Sequence, residues 1–326
     1  MNRRNACVTF ATTLLLAMVL PARAQRPALL RVAWVSTDRS AAPSPFLEAF
    51  RVGMRELGHV EGRNLRIDAW WGEGSSERLQ RMAGEITGTQ PDIVLAQGAA
   101  LGAMLRAGVK RPIVFVISAN PVAAKYVESY ARPGGNVTGI SLFDLEPFAK
   151  RMELLREALP SVKRVAAIAN PQHPGEQMEL RVAQAAASKL GMTLRYFPVR
   201  TEPELERALA DIAASREEAI VAFADAFIMS YAQRISAFSL KERIPAVSGW
   251  AVFAERGNVM TYGPVVADCY RRIASYVDRI QKGARPGDLP IELPTKLELV
   301  INLKTARAIG LAIPQALLMR AEQVIE

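Results

Sequence analysis

Polar side chains directly follow most of the apolar runs in this chain, and these are the positions where chemistry could take place. If the apolar runs are parallel strands, such side chains lie at the carboxyl ends of the strands, where ligands bind in open α/β sheets. Two such sets occur along the chain and would face each other across one cleft. The candidate ligand-binding residues are Ser36, Gln97, Gly98, Ser118, Asn120, Asn170, Asp225, Trp250 and Tyr262.

Asp225 is the most suggestive of these candidates, because it is an acid placed directly after a wholly apolar strand. In a desolvated cleft its carboxylate could pair with the ammonium group of a ligand. Asp is equally favoured as the N-cap of a helix, and a helix is predicted to begin near Phe227. Both roles are open from the sequence alone.

The other candidates allow complementary contacts. Ser36, Ser118 and Asn120 could bind a carboxylate together with backbone N–H groups, although each also fits a turn. Trp250 and Tyr262 could supply flat apolar walls with a hydrogen-bonding edge, although they would look the same as ordinary core aromatics. Together the candidates are typical of a binding cleft for a small organic molecule.

The sequence predicts no catalytic residues, no metal site and no cofactor, and so no enzyme. His59 and His173 are the two histidines, and neither is spaced with cysteines or acids as a metal site requires. The sequence contains no nucleophile elbow, no phosphate loop, no dinucleotide-binding glycine turn and no zinc-protease helix motif. His173 is predicted in a loop near the cleft mouth, where solvation is favoured over contact with a ligand.

The elements that position the candidates alternate between strand and helix in two successive series. The strands are continuously apolar, which indicates that helices cover both sheet faces, and strands separated by single helices are expected to run parallel. The predicted fold class is therefore α/β, with two doubly wound parallel-sheet lobes joined by a hinge. The boundary is placed in the Pro-Gly-rich run 132–139, because adjacent glycines after a proline cannot continue either element.

The predicted domains include a segment that returns to the first lobe late in the chain. The first lobe is expected to contain residues 29–139 and about 264–287, and the second residues 140–263 and about 288–326. Two or three strand-like connections would then join the lobes. Ligand-driven closure of such a hinge would be a population shift.

The N-terminal residues 1–24 have the charged, apolar and Ala-x-Ala parts of a cleaved secretory signal peptide, which predicts a periplasmic protein. This segment carries three arginines and no acid, so the formal charge of +9 becomes +6 after its removal. The remaining basic residues are spread along helix faces without a cluster, which argues against nucleic-acid binding. Cys269 alone remains, so no internal disulfide can form. No later stretch of the sequence is long and apolar enough to cross a membrane, so a soluble protein is expected, and a monomer is expected as well.

Several longer motifs resemble a known family. They are Phe46–Phe50 followed by Arg55–Gly58, the run Ala131–Gly139, Met260–Pro264, Leu293–Lys296 and Val300–Ala306. These motifs are similar to those of the ABC-transporter substrate-binding family, which includes tryptophan-binding members, and the resemblance extends from about Arg31 to Glu326.

The resemblance implies a type I periplasmic-binding-protein fold, of the leucine-binding kind with three crossovers. It also implies partners: a small-molecule ligand, best guessed as an aromatic or other apolar amino acid or related carboxylate, an inner-membrane permease and its cytoplasmic ATPase. Three motifs depart from the common family pattern: Asn120 and Val265 stand where an acid is common, and Ala224-Asp225-Ala226 replaces Pro-Asp-Pro. An exported two-lobed hydrolase and a ligand sensor for a membrane signalling protein are the alternatives.

Overall fold

The structure, a computed structural model, describes residues 29–37 and 44–326. The predicted signal peptide lies outside these described residues. The described chain forms two separate sheets, each covered by helices on both faces. This arrangement confirms the predicted α/β class with two lobes. None of the helices in the described ranges is both long and apolar enough to cross a bilayer.

The first sheet is wholly parallel, because a helix, or in one case a long connection without a helix, returns the chain to the starting edge after each strand. In spatial order its strands are β2 (Leu65–Trp71), β1 (Leu30–Ser36), β3 (Ile93–Gln97), β4 (Ile113–Ile117) and β5 (Val137–Ser141). We call this sheet and its covering helices the first lobe. Strands β3, β4 and β5 are buried along their whole length, which accounts for the continuous apolar runs of β3 and β4.

Two helix layers cover the first sheet. Ser44 caps the first of these helices through its side-chain oxygen, which accepts a hydrogen bond from the Leu47 N–H. On one face lie α1 (Pro45–Glu56) and, from late in the chain, α10 (Val266–Gln281); on the other lie α2 (Ser76–Thr89) and α3 (Ala100–Arg106). Gly53 permits the close approach of α1 to α10, because a Cβ there would lie 2.3 Å from the Arg271 carbonyl oxygen.

The second sheet has seven strands and one antiparallel pair. In spatial order they are β12 (Gln323–Ile325), β11 (Leu297–Asn302), β10 (Met260–Pro264), β9 (Ala246–Ser248), β8 (Ala219–Ala222), β6 (Arg164–Ala169) and β7 (Thr193–Pro198). We call this sheet and its helices the second lobe. Strand β11, which the sequence did not predict, pairs antiparallel with β10, whereas the other pairs of this sheet are parallel. The connecting helix α10 packs on the other lobe, so the chain re-enters this sheet in the opposite direction.

Helices also cover both faces of the second sheet. Successive side chains of β6 point to opposite faces of the sheet. Val165 and Ala167 pack in the core on one face, and Ala166 and Ile168 pack in the core on the other. The helices are α4 (Glu146–Ala158), α5 (Glu176–Lys189), α11 (Leu303–Ala308) and α12 (Gln315–Leu318) on the first side, and α6 (Glu202–Ala214), α7 (Ala226–Ser230), α8 (Ala232–Glu242) and α9 (Ala251–Glu255) on the second.

The chain passes between the lobes three times: from β5 to α4, from β10 to α10, and before β11. Before the third passage, the segment Leu289–Glu292 still pairs with the first lobe. Thr138 donates its hydroxyl hydrogen to the Leu289 carbonyl, and the Glu292 N–H donates to the Gly139 carbonyl. The predicted domain limits stay a prediction, and these contacts place the third connection after Glu292.

Strand β5 differs from the expectation that the run 132–139 only interrupts the chain. Val137 to Ser141 form a buried strand that pairs with β4. Gly139 has φ +154°, and a Cβ there would lie 2.1 Å from the Phe115 carbonyl oxygen. Glycine therefore permits close contact between two strands here and does not end the element.

Candidate functional site

A cavity of about 360 Å³ lies between the two lobes at the carboxyl ends of their strands. This volume is within the range of small-molecule sites. Residues from the first lobe that line it are Thr37, Gly74, Ser76, Leu79, Gly98, Ala99, Gly102, Arg106, Ile117, Ser118, Ala119 and Tyr126. Residues from the second lobe are Asn170, Gln172, His173, Pro174, Arg200, Asp225, Ala226 and Phe227.

Four of the predicted site residues line this cavity: Gly98, Ser118, Asn170 and Asp225. Gln97 and Trp250 border a smaller void of about 20 Å³ that shares Gly98 and Ser118 with the main cavity. Within the described residues, the Gln97 Oε1 atom is buried without a hydrogen-bond partner. Six of the nine candidates therefore meet in one region between the lobes.

The other three candidates line neither cavity. Ser36 is fully buried, and its carbonyl accepts a hydrogen bond from the Gly72 N–H. Asn120 forms an Asx turn, in which its side-chain oxygen accepts from the backbone N–H groups of Val122 and Ala123. Tyr262 packs against the second-lobe core, and its carbonyl accepts from the Arg151 Nε at 2.7 Å.

Asp225 combines the two roles that the sequence left open. It is the N-cap of α7, where its Oδ1 atom accepts hydrogen bonds from the Phe227 N–H at 2.7 Å and the Ile228 N–H at 3.0 Å. It also lines the cavity, although only 5% of its surface is exposed. Burial raises its pKa to about 7, and the two N–H bonds oppose this effect.

Behind Asp225 lies a set of buried charged residues that sequence reasoning did not select. Burial raises the pKa of Glu179 to about 8, although the nearby Arg151 acts to lower it. Burial lowers the pKa of Arg151 to about 10. The Arg151 guanidinium carbon lies 4.3 Å from the Phe148 ring centroid, which places a cation over an aromatic face.

His173 joins the lobes directly. Its Nε2 atom lies 2.8 Å from the Ser118 Oγ of the first lobe, and only 11% of its side chain is exposed. The expectation that His173 lies in a solvated loop is therefore wrong: the β6–α5 loop folds it into the interface between the lobes. Burial lowers the pKa of His173 to about 4, so the imidazole is neutral at pH 7.

The cavity also contains residues that were not predicted. Arg200 follows strand β7, so the strand-end rule applied to every strand would have found it. Phe227 is the second residue of α7 and follows the Asp225 cap. Tyr126 lies in the long connection between β4 and β5, where no sequence pattern marks it. A Cβ at Gly102 would lie 2.9 Å from the Tyr126 hydroxyl oxygen, so glycine leaves space for this ring.

This arrangement can enclose a small molecule that has both an apolar part and polar groups. Phe227 and Tyr126 supply aromatic surface, Asp225 supplies an acidic group, and Arg106 and Arg200 supply positive charge from opposite lobes. Within residues 29–37 and 44–326, no group of three or more His, Cys, Asp or Glu side chains is placed to hold a metal ion. The chemistry that the cavity offers is hydrogen bonding, ionic pairing and apolar contact.

Comparison with known proteins gives similar folds and similar sequences. A tyrosine-binding protein from Clostridioides difficile strain R20291 is 22% identical over 265 residues, which cover 81% of this chain and 76% of that protein. The crystal structure of a conserved domain protein from Vibrio cholerae has 27% identity and a TM-score of 0.83, covering 91% of this chain and 99% of that chain. An ABC domain in complex with L-Trp from Streptococcus pneumonia has 23% identity and a TM-score of 0.84, covering 91% of this chain and 100% of that chain.

The family comparison covers nearly all of the described chain. The sequence model for ABC transporter substrate binding proteins matches residues 44–325, which include the second lobe apart from Glu326, the first lobe from α1 onward and every residue of the cavity except Thr37. The chain belongs to the ABC transporter substrate-binding protein family.

Proposed function

We propose that this protein is the periplasmic receptor of an ABC importer and binds an aromatic or other apolar amino acid, or a related carboxylate, between its lobes. The closed receptor would deliver this ligand to an inner-membrane permease that a cytoplasmic ATPase drives. The observation that supports the proposal most strongly is the cavity of about 360 Å³, lined by both lobes and by aromatic, acidic and basic side chains. The predicted export signal supports the location.

The ligand class follows from the lining and agrees with two relatives. The L-Trp complex and the tyrosine-binding protein are similar in fold or sequence to this chain. In the proposed mode, the ligand ammonium contacts Asp225 and the apolar side chain lies against Phe227 and Tyr126. The carboxylate lies toward Ser118 and the arginines at the cavity. An ammonium at Asp225 would favour the ionised carboxylate and so lower its pKa from about 7.

A thermal-shift screen of the twenty amino acids and of aromatic carboxylates tests the proposal. A ligand at 100 times its Kd stabilises the protein by about 2.7 kcal/mol, which is easily measured as a higher melting temperature. Calorimetry on Asp225→Asn then tests the role of the acid. Asn caps a helix about as well as Asp, so this variant removes the charge and keeps α7.

We expect Asp225→Asn to weaken amino-acid binding roughly 10- to 100-fold, because a hydrogen bond to a charged group contributes about 1.5–3 kcal/mol. The matched control is Asp211→Asn on the exposed side of α6, which should bind like the wild type. If no aromatic or apolar amino acid or carboxylate raises the melting temperature, the proposed ligand class is wrong.

A further inference from the structure

A hydrogen bond between His173 and Ser118 joins the two lobes directly, and a second hydrogen bond of the imidazole indicates which of the two residues is the donor. The Gly175 N–H donates to the His173 Nδ1 atom at 3.3 Å. Since the imidazole is neutral, a ring nitrogen that accepts a hydrogen bond leaves the proton on the other nitrogen. His173 therefore carries its hydrogen on Nε2 and donates it to the Ser118 Oγ, 2.8 Å away across the lobes.

The loop that presents His173 is held in place independently of any ligand. The His173 N–H donates to the Asn170 carbonyl, and the Glu176 N–H donates to the His173 carbonyl. A Cβ at Gly175 would lie 2.8 Å from the Phe143 ring, so this position needs glycine for the loop to pack against the connection between β5 and α4. The imidazole is thus part of a fixed loop at the hinge side of the cavity.

A serine hydroxyl that accepts a hydrogen bond still has its own hydrogen to donate. Ser118 lines the cavity, so this donor is available to a molecule bound there. We propose that His173 is a positioning residue, which holds the lobes together through Ser118 and turns the Ser118 hydroxyl into a donor for a carboxylate oxygen of the ligand. This inference deepens the proposed function and rests on it for the identity of the ligand.

Several charged groups surround this contact. The Glu179 Oε1 atom lies 3.9 Å from the His173 Nδ1, and Asp225 and Arg200 line the same cavity. Arg151 and Glu176 are buried behind them. Glu179 has a pKa of about 8, so at pH 7 it is mainly uncharged and does not hold a proton on the imidazole by ionic pairing.

Low pH therefore opposes closure of the two lobes, because it favours protonation of His173 in the open arrangement. In the structure the lobes touch through His173 and Ser118, and we call this the closed arrangement. The His173 pKa is about 4 there, whereas an exposed imidazole in an open arrangement has the ordinary value of 6.5. Well above pH 6.5 the histidine is mainly neutral in both arrangements and has almost no effect on closure. As the pH falls from 6.5 toward 4, the open form binds a proton that the closed form excludes, so ligand affinity falls by about tenfold at pH 5.5.

Four variants separate this role from a simple structural one. His173→Gln keeps an N–H donor near the Nε2 position but does not titrate, and His173→Leu removes the donor. Ser118→Ala removes the acceptor. His59→Gln is the matched control, because His59 bonds to Asp278 within the first lobe and does not contact the cavity.

The first measurement needs no known ligand. Small-angle X-ray scattering at pH 7.5 is recorded on the wild type and the variants, alone and with L-tyrosine and L-tryptophan. We expect the closed arrangement to be more populated in the wild type, His173→Gln and His59→Gln than in His173→Leu and Ser118→Ala. A wild type that is as extended as His173→Leu in every condition overturns the inference.

The second measurement is calorimetry with L-tyrosine and with tyramine, which lacks the carboxylate. We expect His173→Leu and Ser118→Ala to bind L-tyrosine roughly tenfold more weakly, and their preference for L-tyrosine over tyramine to shrink by a similar factor. His173→Gln should keep the affinity and lose the decrease between pH 6.5 and 5.5. An unchanged preference, or an unchanged pH profile in His173→Gln, overturns the inference.

The two measurements separate the failure of this inference from the failure of the proposed function. If the wild type binds no aromatic or other apolar amino acid and no related carboxylate, the proposed ligand class fails, and the scattering comparison alone decides the role of His173. If the wild type binds L-tyrosine or L-tryptophan but the variants do so with the same affinity and selectivity, the role of His173 fails and the receptor function stands.

Discussion

The substitution Glu179→Gln should stabilise the protein at neutral and alkaline pH and have little effect in acid. Only 4% of the Glu179 side chain is exposed, and its pKa is raised to about 8 because burial disfavours the ionised form. The ordinary glutamate value is 4.5. Folding therefore favours the protonated carboxyl, and the free energy of unfolding falls as the pH rises from 4.5 to about 8. Gln keeps the size of the side chain and cannot ionise.

The two pKa values set the expected magnitude. With 1.36 kcal/mol for each unit of pKa difference, the destabilisation due to Glu179 is about 1 kcal/mol at pH 5 and about 3 kcal/mol at pH 7. Below pH 4.5 both states are protonated and the effect disappears. Glu179→Gln should thus raise the free energy of unfolding by up to about 3 kcal/mol at pH 7. The gain is smaller by the free energy that is lost if the buried amide lacks a good hydrogen-bond partner.

Urea unfolding of the wild type and of Glu179→Gln at pH 5, 7 and 8.5 measures this difference. The control is Glu85→Gln, on the exposed side of α2, which should stay within about 0.5 kcal/mol of the wild type at each pH. The reasoning is refuted if Glu179→Gln gives the same gain at every pH, or if its stability relative to the wild type decreases as the pH rises.

Four further predictions test packing, the cavity and the thiol. Gly263→Ala should destabilise the protein by more than about 2 kcal/mol in urea unfolding, since its Cβ would lie 2.0 Å from the Gly249 carbonyl oxygen. Gly84→Ala, with open space around it in α2, should be neutral or stabilising by up to about 1 kcal/mol. Phe227→Ala should weaken the binding of aromatic more than of small aliphatic amino acids in calorimetry, and equal losses would contradict its role as an aromatic wall. Cys269 is buried with a pKa of about 12, so a thiol reagent at pH 8 should modify it only after unfolding, and rapid modification of the native protein would show that α10 is exposed.

The sequence predicted the fold well where burial is uniform along an element. Continuous apolar runs such as Ile113–Ile117 belong to strands covered on both faces, and the structure has them there. The sequence did not predict strand direction where this depends on the long-range path of the chain. Strand β11 pairs antiparallel with β10 because α10 packs against the first lobe, and no local sequence pattern indicates this. The sequence also did not predict β5, which begins within the run 132–139 and in which Gly139 permits two strands to touch.

For the candidate site, the strand-end rule found the region but could not rank its members. Asp225 and Ser118 line the cavity, whereas Asn120 uses its side chain for a turn, which is the alternative that the sequence left open. Arg151 and Glu179 could have been found by another pattern, because each is a charged residue on the apolar face of its helix. The contact between His173 and Ser118 spans 55 positions and depends on how the lobes meet, so local sequence does not predict it.

The distribution of titratable groups suggests how ligand charge and closure are linked in the proposed receptor. The acid that lines the cavity, Asp225, belongs to the second lobe, and opposite it the first lobe presents mostly neutral groups together with Arg106. When the lobes close without a ligand, the Asp225 carboxylate loses water, and the first lobe offers it no cation other than Arg106. Burial of an ionised carboxylate without enough compensating charge costs free energy. A ligand ammonium would replace the lost hydration, and this contact would favour the closed form over the open one. Differential binding of this kind is what a ligand needs to shift a two-state equilibrium, so an amino acid should close the receptor more completely than the same molecule without its amino group.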